Sequence, residues 1–368
     1  MRVGSLAITT FRNISGARFE LPAAGVTLVG RNGQGKTNLL EALYYLHLLR
    51  SFRGSRDADV AQFGSAGFHV RAVATGTPRG VRELGIGFER ASRRKKVLVN
   101  GLAPGRLSEA YGAVPGVLCS PDDREIVAGA PAARRRYLDV MLATVVPGYL
   151  FALQQYRVAL QQRNAALRQP QGGDPEGALA AWEPALAVHG AAIIRARGEW
   201  AARSATEFAR LCAAIGEEQQ VDLSYLSRVQ GDDLRDALRA LLEETRGADL
   251  RRGFTHSGPH REEIRLTLAG REFRDFGSAG QQRTAALALR MLEAATMRDA
   301  LGAHPLLLLD DPFAELDRER AARILTLLRG IDPGQVILCV PREDDIPAEL
   351  SELAQWRVEN GVITQDFR

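Results

Sequence analysis

Gly30-Arg31-Asn32-Gly33-Gln34-Gly35-Lys36-Thr37 is the stretch that decides the fold. It fits G-x-x-x-x-G-K-[ST] at every fixed position. Upstream, Val26-Thr27-Leu28-Val29 reads as a strand. Downstream, Asn38 to Leu49 reads as a helix, rich in Leu and Ala and free of Gly and Pro. Glycines let backbone N–H groups wrap a β-phosphate, and the helix N-terminus adds a favourable dipole. Gly30, Arg31, Asn32, Gly33, Gln34 and Gly35 are therefore candidate nucleotide contacts. Lys36 would reach the β- and γ-phosphates, and the Thr37 hydroxyl would ligate Mg²⁺.

Such a site also needs an acid for the metal. Pro305-Leu306-Leu307-Leu308-Leu309 has the signature of a buried strand and delivers Asp310 and Asp311 at its end. Asp310 is the candidate for holding Mg²⁺, usually through water. Asp311 is the candidate for orienting or deprotonating the attacking water. The bland reading is a pair of acids capping the following turn. Loop and acids together point to ATP as the ligand.

Ser278 stands 32 residues before Asp310, within Gly277-Ser278-Ala279-Gly280-Gln281-Gln282-Arg283. This segment resembles the signature motif of ABC-type ATPases. In that class, serine and glycine backbone at a helix start bind the γ-phosphate of ATP held by the other subunit. Small residues permit close approach, and the helix dipole faces the anion. By that resemblance Ser278, Gly280 and Gln281 are candidate contacts, and so is Asp317 in Ala314-Glu315-Leu316-Asp317, which resembles the D-loop. The order of the four motifs is more specific than any one of them.

Spacing discriminates within the class. Ser278 lies 248 residues after Gly30. Transporter ATPases keep this interval much shorter, and SMC proteins insert hundreds of residues of coiled coil. A single short helical insertion resembles the RecF family of bacterial recombination-repair proteins. Phe11-Arg12-Asn13 is similar to that family's opening strand, and Gly33 to Ala42 to its phosphate loop and helix. Ser120-Pro121-Asp122-Asp123, Arg134-Arg135-Arg136-Tyr137-Leu138-Asp139, Gln162-Arg163-Asn164-Ala165 and Ser257-Gly258-Pro259-His260-Arg261 are similar to further blocks. The resemblance runs essentially from end to end.

It implies an ATP-dependent DNA-binding protein. Such a protein binds duplex DNA next to single-stranded gaps and, with RecO and RecR, helps place RecA there, supporting fork repair and the SOS response. ATP would close two heads into a homodimer, each site using Lys36 of one chain and Ser278 of the other. Slow, DNA-stimulated hydrolysis would release the DNA. Two departures stand out. ABC-type sites often place a histidine after the last core strand, and this family commonly has threonines, whereas Val340 is followed by Pro341-Arg342. The Q-loop glutamine is not obvious, and Cys119 to Asp123 occupies its place. The alternative from another class is the ATPase subunit of a membrane transporter.

The rest of the chain sets the frame. Its 368 residues suggest two domains or three, and 25% charged residues is the globular average. No apolar run is long enough to span a bilayer, and the opening Met1-Arg2-Val3-Gly4 leads to no expectation of a secretory leader. Three cysteines (Cys119, Cys212, Cys339) rule out a disulfide scaffold and suggest a reducing cytoplasm. Net charge is +4, and 45 of the 48 basic residues are arginine, which permits nucleic-acid binding without demonstrating it.

Sheet texture opens the chain, with a turn expected at Ser15-Gly16. Lys95 to Val99 followed by Asn100-Gly101 is a hairpin signal. Tyr149, Leu153, Tyr156, Leu160 and Leu167 mark the apolar seam of a long helix. Gln169-Pro170-Gln171-Gly172-Gly173-Asp174-Pro175 breaks it. Trp182 to Leu211 marks a second long helix, so an antiparallel arm is expected. Asp232 to Glu244 reads as a third helix.

The fold expected is α/β, an ABC-type P-loop ATPase head (1–125 and 252–368) with an inserted α-helical arm domain (126–251). Arg134-Arg135-Arg136 and Arg93-Arg94-Lys95-Lys96 are open to two readings, DNA phosphate contact or a structural and solvated role. Arg12 is a candidate to approach the nucleotide. Gly258-Pro259 between His256 and His260 denies helical geometry, so zinc is not expected. Trp182 and Trp200 fall on the helical seam and read as core.

Overall fold

A computed structural model describes residues 1–168, 175–313, 318–330 and 334–365. The chain divides into two compact units, one of residues 1–123, 214–216 and 286–368, the other of residues 124–213 and 217–285.

The first unit holds a six-stranded sheet. Its order is Val362–Gln365, Ala354–Glu359, Gly25–Val29, Val336–Val340, Leu306–Asp310 and Gly116–Cys119. Pairing is parallel except in the hairpin of Ala354–Glu359 with Val362–Gln365. All of Gly25–Val29 and Val336–Val340 is buried, which is why these strands read as continuous apolar runs. Gly25 permits the close pairing, since a Cβ there would fall 1.7 Å from the Val336 carbonyl oxygen.

A second, antiparallel sheet has the order Ile14–Glu20, Arg2–Phe11, Gly67–Thr75, Glu83–Glu89 and Arg94–Val99. The helix Lys36–Leu48 touches strands of both sheets and is buried on nearly every side. Tyr45 on that helix packs edge-to-face with Phe11 and Phe68, at ring separations of 5.9 and 5.4 Å. The opening turn falls at Arg12-Asn13 rather than Ser15-Gly16. Phe11 pairs with Ile14, Arg12 takes φ 53°, and the edge strand runs on through Gly16. The Asn100-Gly101 turn forms as expected, both residues having positive φ and Val99 and Leu102 exchanging backbone hydrogen bonds.

The second unit is mostly helical. Tyr149–Arg168 and the 33-residue Glu183–Ile215 run antiparallel, because contacts pair Tyr149 with Arg197 and Arg163 with Glu183. The longer helix reaches roughly 50 Å at about 1.5 Å per residue. Of the expected break between them, Gln169 to Asp174 lie outside the described residues. Trp200 is buried against Tyr137, as the seam predicts, while Trp182 is only half-buried, just ahead of the helix. The expected third helix is Leu234–Glu244, capped by the Asp233 carboxylate, which accepts from the Arg235 and Asp236 amides. The division of the chain differs from the expected boundary at residue 252. Residues 252–285 group with the helical unit, because Glu263–Leu268 pairs with Val221–Leu226 in a three-stranded sheet.

Candidate functional site

The phosphate loop leaves the carboxyl end of Gly25–Val29, in the first unit. The crevice outside the carboxyl ends of parallel strands is where α/β sheets place ligands. Here it is lined by Asn32, Gly33, Gly35, Lys36, Thr37 and Asn38 from the loop and helix, and by Arg53, Asp310, Asp311 and Pro341. Gly33 and Gly35 have φ 81° and 114°, so the loop's wrap depends on glycine at both. The Lys36 ammonium donates to the carbonyls of Gly30 and Arg31.

The Thr37 hydroxyl donates to Asp310 Oδ1 at 3.1 Å. Burial raises the Asp310 carboxyl above the usual carboxylate range. The Thr37 hydrogen bond and the charges of Arg53 and Lys36 act against that shift, and Asp311 acts with it. Asp311 has φ 46°, an uncommon conformation for a non-glycine residue, and its amide donates to the Cys339 carbonyl. An ammonium, a hydroxyl and two strand-end carboxylates thus line one cleft.

Several predicted residues have other partners. The Gln34 side-chain oxygen accepts from the Asn360 amide at 2.7 Å, and its carbonyl accepts from the Gly361 amide and Asn13 Nδ2. Gln34 therefore anchors the loop to the 360–361 turn. Arg12 forms a fork onto the fully buried Glu41, at 2.9 and 2.7 Å, and also reaches Ser55 and the Asp59 carbonyl. Sequence reasoning missed Arg53, whose only signal was a basic residue after the helix. It also missed Asn13, which accepts from Asn38 Nδ2 at 2.8 Å and so braces the loop.

Ser278 lies in the second unit and is exposed. Its hydroxyl accepts from the Gln281 amide at 3.3 Å, and the Gln281 side chain accepts from the Ser278 amide at 2.9 Å. This reciprocal cap starts the helix Ala279–Leu301. Gln281 also donates to Glu217, so its side chain has a structural use. Gly280 lies in the first turn of that helix. Asp317 lies outside the described residues.

Among the basic runs, Arg134 is buried, pairs with Glu263 and donates to the Val127 and Gly129 carbonyls, closing the preceding helix. Lys95 bridges to Asp57 at 2.7 Å. His256 and His260 bond to Asp249 and Tyr156, and no cluster able to hold a metal occurs among the described residues. All three cysteines are free and buried. No helix among the described residues is long and apolar enough to cross a membrane.

A phosphate loop and a strand-end acidic pair on a parallel sheet define a P-loop ATPase head, here of the ABC type. The Smc head bound to the C-winged helix domain of ScpA has the same fold, with a TM-score of 0.56 at 16% identity, covering 100% of this chain and 98% of that one. No protein-family model matches the chain. It is 35% identical to the DNA replication and repair protein RecF of Symbiobacterium thermophilum, covering 100% of this chain and 99% of that protein. With the RecF of Heliobacterium modesticaldum it shares 33% over 99% of each. A solved structure of the recombination mediator protein RecF with ATP, in the RecFOR pathway, superposes with a TM-score of 0.89 at 28% identity, covering 99% of this chain and 97% of that one. The chain belongs to the RecF family of DNA replication and repair proteins. The membrane-transporter alternative is not favoured by these relatives.

Proposed function

We propose that this protein is an ATP-gated DNA clamp of recombinational repair. The observation that carries the reading is the Thr37–Asp310 contact at the mouth of the phosphate loop. A hydroxyl and a carboxylate in one open cleft are oxygen donors of the kind Mg²⁺ takes. Bound there, the ion would draw negative charge from the phosphate oxygens. Lys36 turns from its loop carbonyls to the β- and γ-phosphates, and Arg53, which also pairs with Glu41 at 3.5 Å, adds a second positive charge to the cleft. Asp311 orients the attacking water and accepts its proton.

The exposed Ser278 cap supports the second half of the reading. The Ala279 and Gly280 N–H groups, which take no bond among the described residues, lie at a helix start with small side chains and suit the γ-phosphate of ATP held by a second copy. ATP then closes a homodimer around duplex DNA beside a single-stranded gap. Slow hydrolysis, stimulated by DNA, reopens it. RecO and RecR would act with it in the cytoplasm to place RecA, in support of fork repair and the SOS response.

The test is equilibrium binding to gapped duplex DNA, with and without Mg-ATP, at several salt concentrations. Tight binding that needs ATP, weakens with salt and is lost in Ser278→Arg is the expected result. Binding indifferent to ATP and to Ser278 would overturn the clamp.

A further inference from the structure

Phe63 is fully exposed, at 103% of its reference area. It is displayed on a pinned loop. The Gln62 amide donates to the Thr10 carbonyl at 2.8 Å, and the Ser65 hydroxyl returns to the Gln62 carbonyl at 2.7 Å. Arg90 donates to the carbonyls of Ala61, Gln62 and Ser65, tying the loop to the hairpin turn that follows Glu89. That turn and its strand carry Arg93, Arg94 and Lys96, all exposed and without an ion pair among the described residues. Of the acids along this hairpin, Glu89 stands opposite Arg94 in the strand pairing and keeps its charge. Glu89 takes the Ser92 hydroxyl, and Asp57 takes the Lys95 ammonium and the Tyr45 hydroxyl.

An exposed phenyl is poorly hydrated, and the exposed cations on the adjoining turn and strand repel one another. A ligand with both a π-face and negative charge relieves both. We infer that this corner is a nucleic-acid contact in which Phe63 stacks on an unpaired base of gapped DNA while Arg93, Arg94 and Lys96 hold the adjoining phosphates. The inference rests on the DNA-binding reading above and gives it a surface in the first unit. A base inside a duplex has its faces covered by its neighbours, so the phenyl acts only where a base is unstacked. The cations act on either form.

The experiment compares gapped and fully paired duplex DNA by fluorescence anisotropy, using the full chain with Mg-ATP. Phe63→Ala is expected to weaken gapped DNA about tenfold and leave paired duplex unchanged, and Phe63→Trp to restore binding. Arg93→Ala with Arg94→Ala is expected to weaken both DNAs and lower the salt slope by about 2. All three side chains are exposed, so unfolding midpoints serve as the folding control. If wild type binds and Phe63→Ala binds both DNAs as wild type does, the inference falls and the clamp stands. Equal loss on both DNAs also overturns base stacking. If wild type binds neither DNA, the DNA reading itself fails and takes the inference with it.

Discussion

Alanine at Gly35 should destabilise the free protein more than alanine at Gly33, for a reason the loop geometry supplies. At Gly33, φ is 81° and an added Cβ meets nothing within 4 Å, so only backbone strain is felt, about 1 to 2 kcal/mol. At Gly35, φ is 114°, and the Cβ would lie 2.7 Å from both amide atoms of Asn13. That amide donates to the Gln34 carbonyl and accepts from Asn38. Displacing it adds roughly 1 kcal/mol for each bond lost. The expected total is about 3 to 4 kcal/mol, measured by urea unfolding without nucleotide. In an Asn13→Ala background the clash is gone, and Gly35→Ala should cost about 2 kcal/mol less than in wild type. A Gly35→Ala cost no greater than that of Gly33→Ala, or the same in both backgrounds, would mean that Asn13 does not feel the added Cβ.

Asp310→Asn should abolish the thermal stabilisation conferred by Mg-ATP. Because the folded-state pKa of Asp310 is raised, its contribution is present at low pH and is lost as pH rises through the folded value. The apo variant should lack that loss, and a pH-melting series matching wild type would contradict it. His47 has the opposite sign: burial lowers it from 6.5 to about 3, so stability is lost as pH falls through that window, by up to about 1.4 kcal/mol per pH unit. His47→Gln should flatten acid unfolding there, and an unchanged slope would exclude His47 as the source. Arg163→Met should cost about 3 to 5 kcal/mol, since it leaves the fully buried Asp249 without its guanidinium. Chemical denaturation showing a negligible change would mean that Asp249 is neutralised some other way.

The features legible in the sequence are local. The strand, loop and helix around Lys36 follow one another directly, and the Ser278–Gln281 cap closes within four residues. The strand ending at Asp310 announces itself because burial on both faces demands an unbroken apolar run. What lay beyond reach depends on partners distant in the chain. Arg12 looked free for nucleotide until Glu41 was brought beneath it, and Gln34 until the 360–361 turn met it. Arg163 sits on a helical seam at 0% exposure, where arginine is rarely found, because Asp249 and Glu183 arrive from other helices to pair with it. The unit boundary moved for the same reason, since Glu263–Leu268 takes its hydrogen bonds from Val221–Leu226. Local hydrogen bonding and side-chain period are set within a short window of sequence. The partner of a buried charge or an edge strand is set by which distant groups the packed fold brings within about 3 Å, where water can no longer compete.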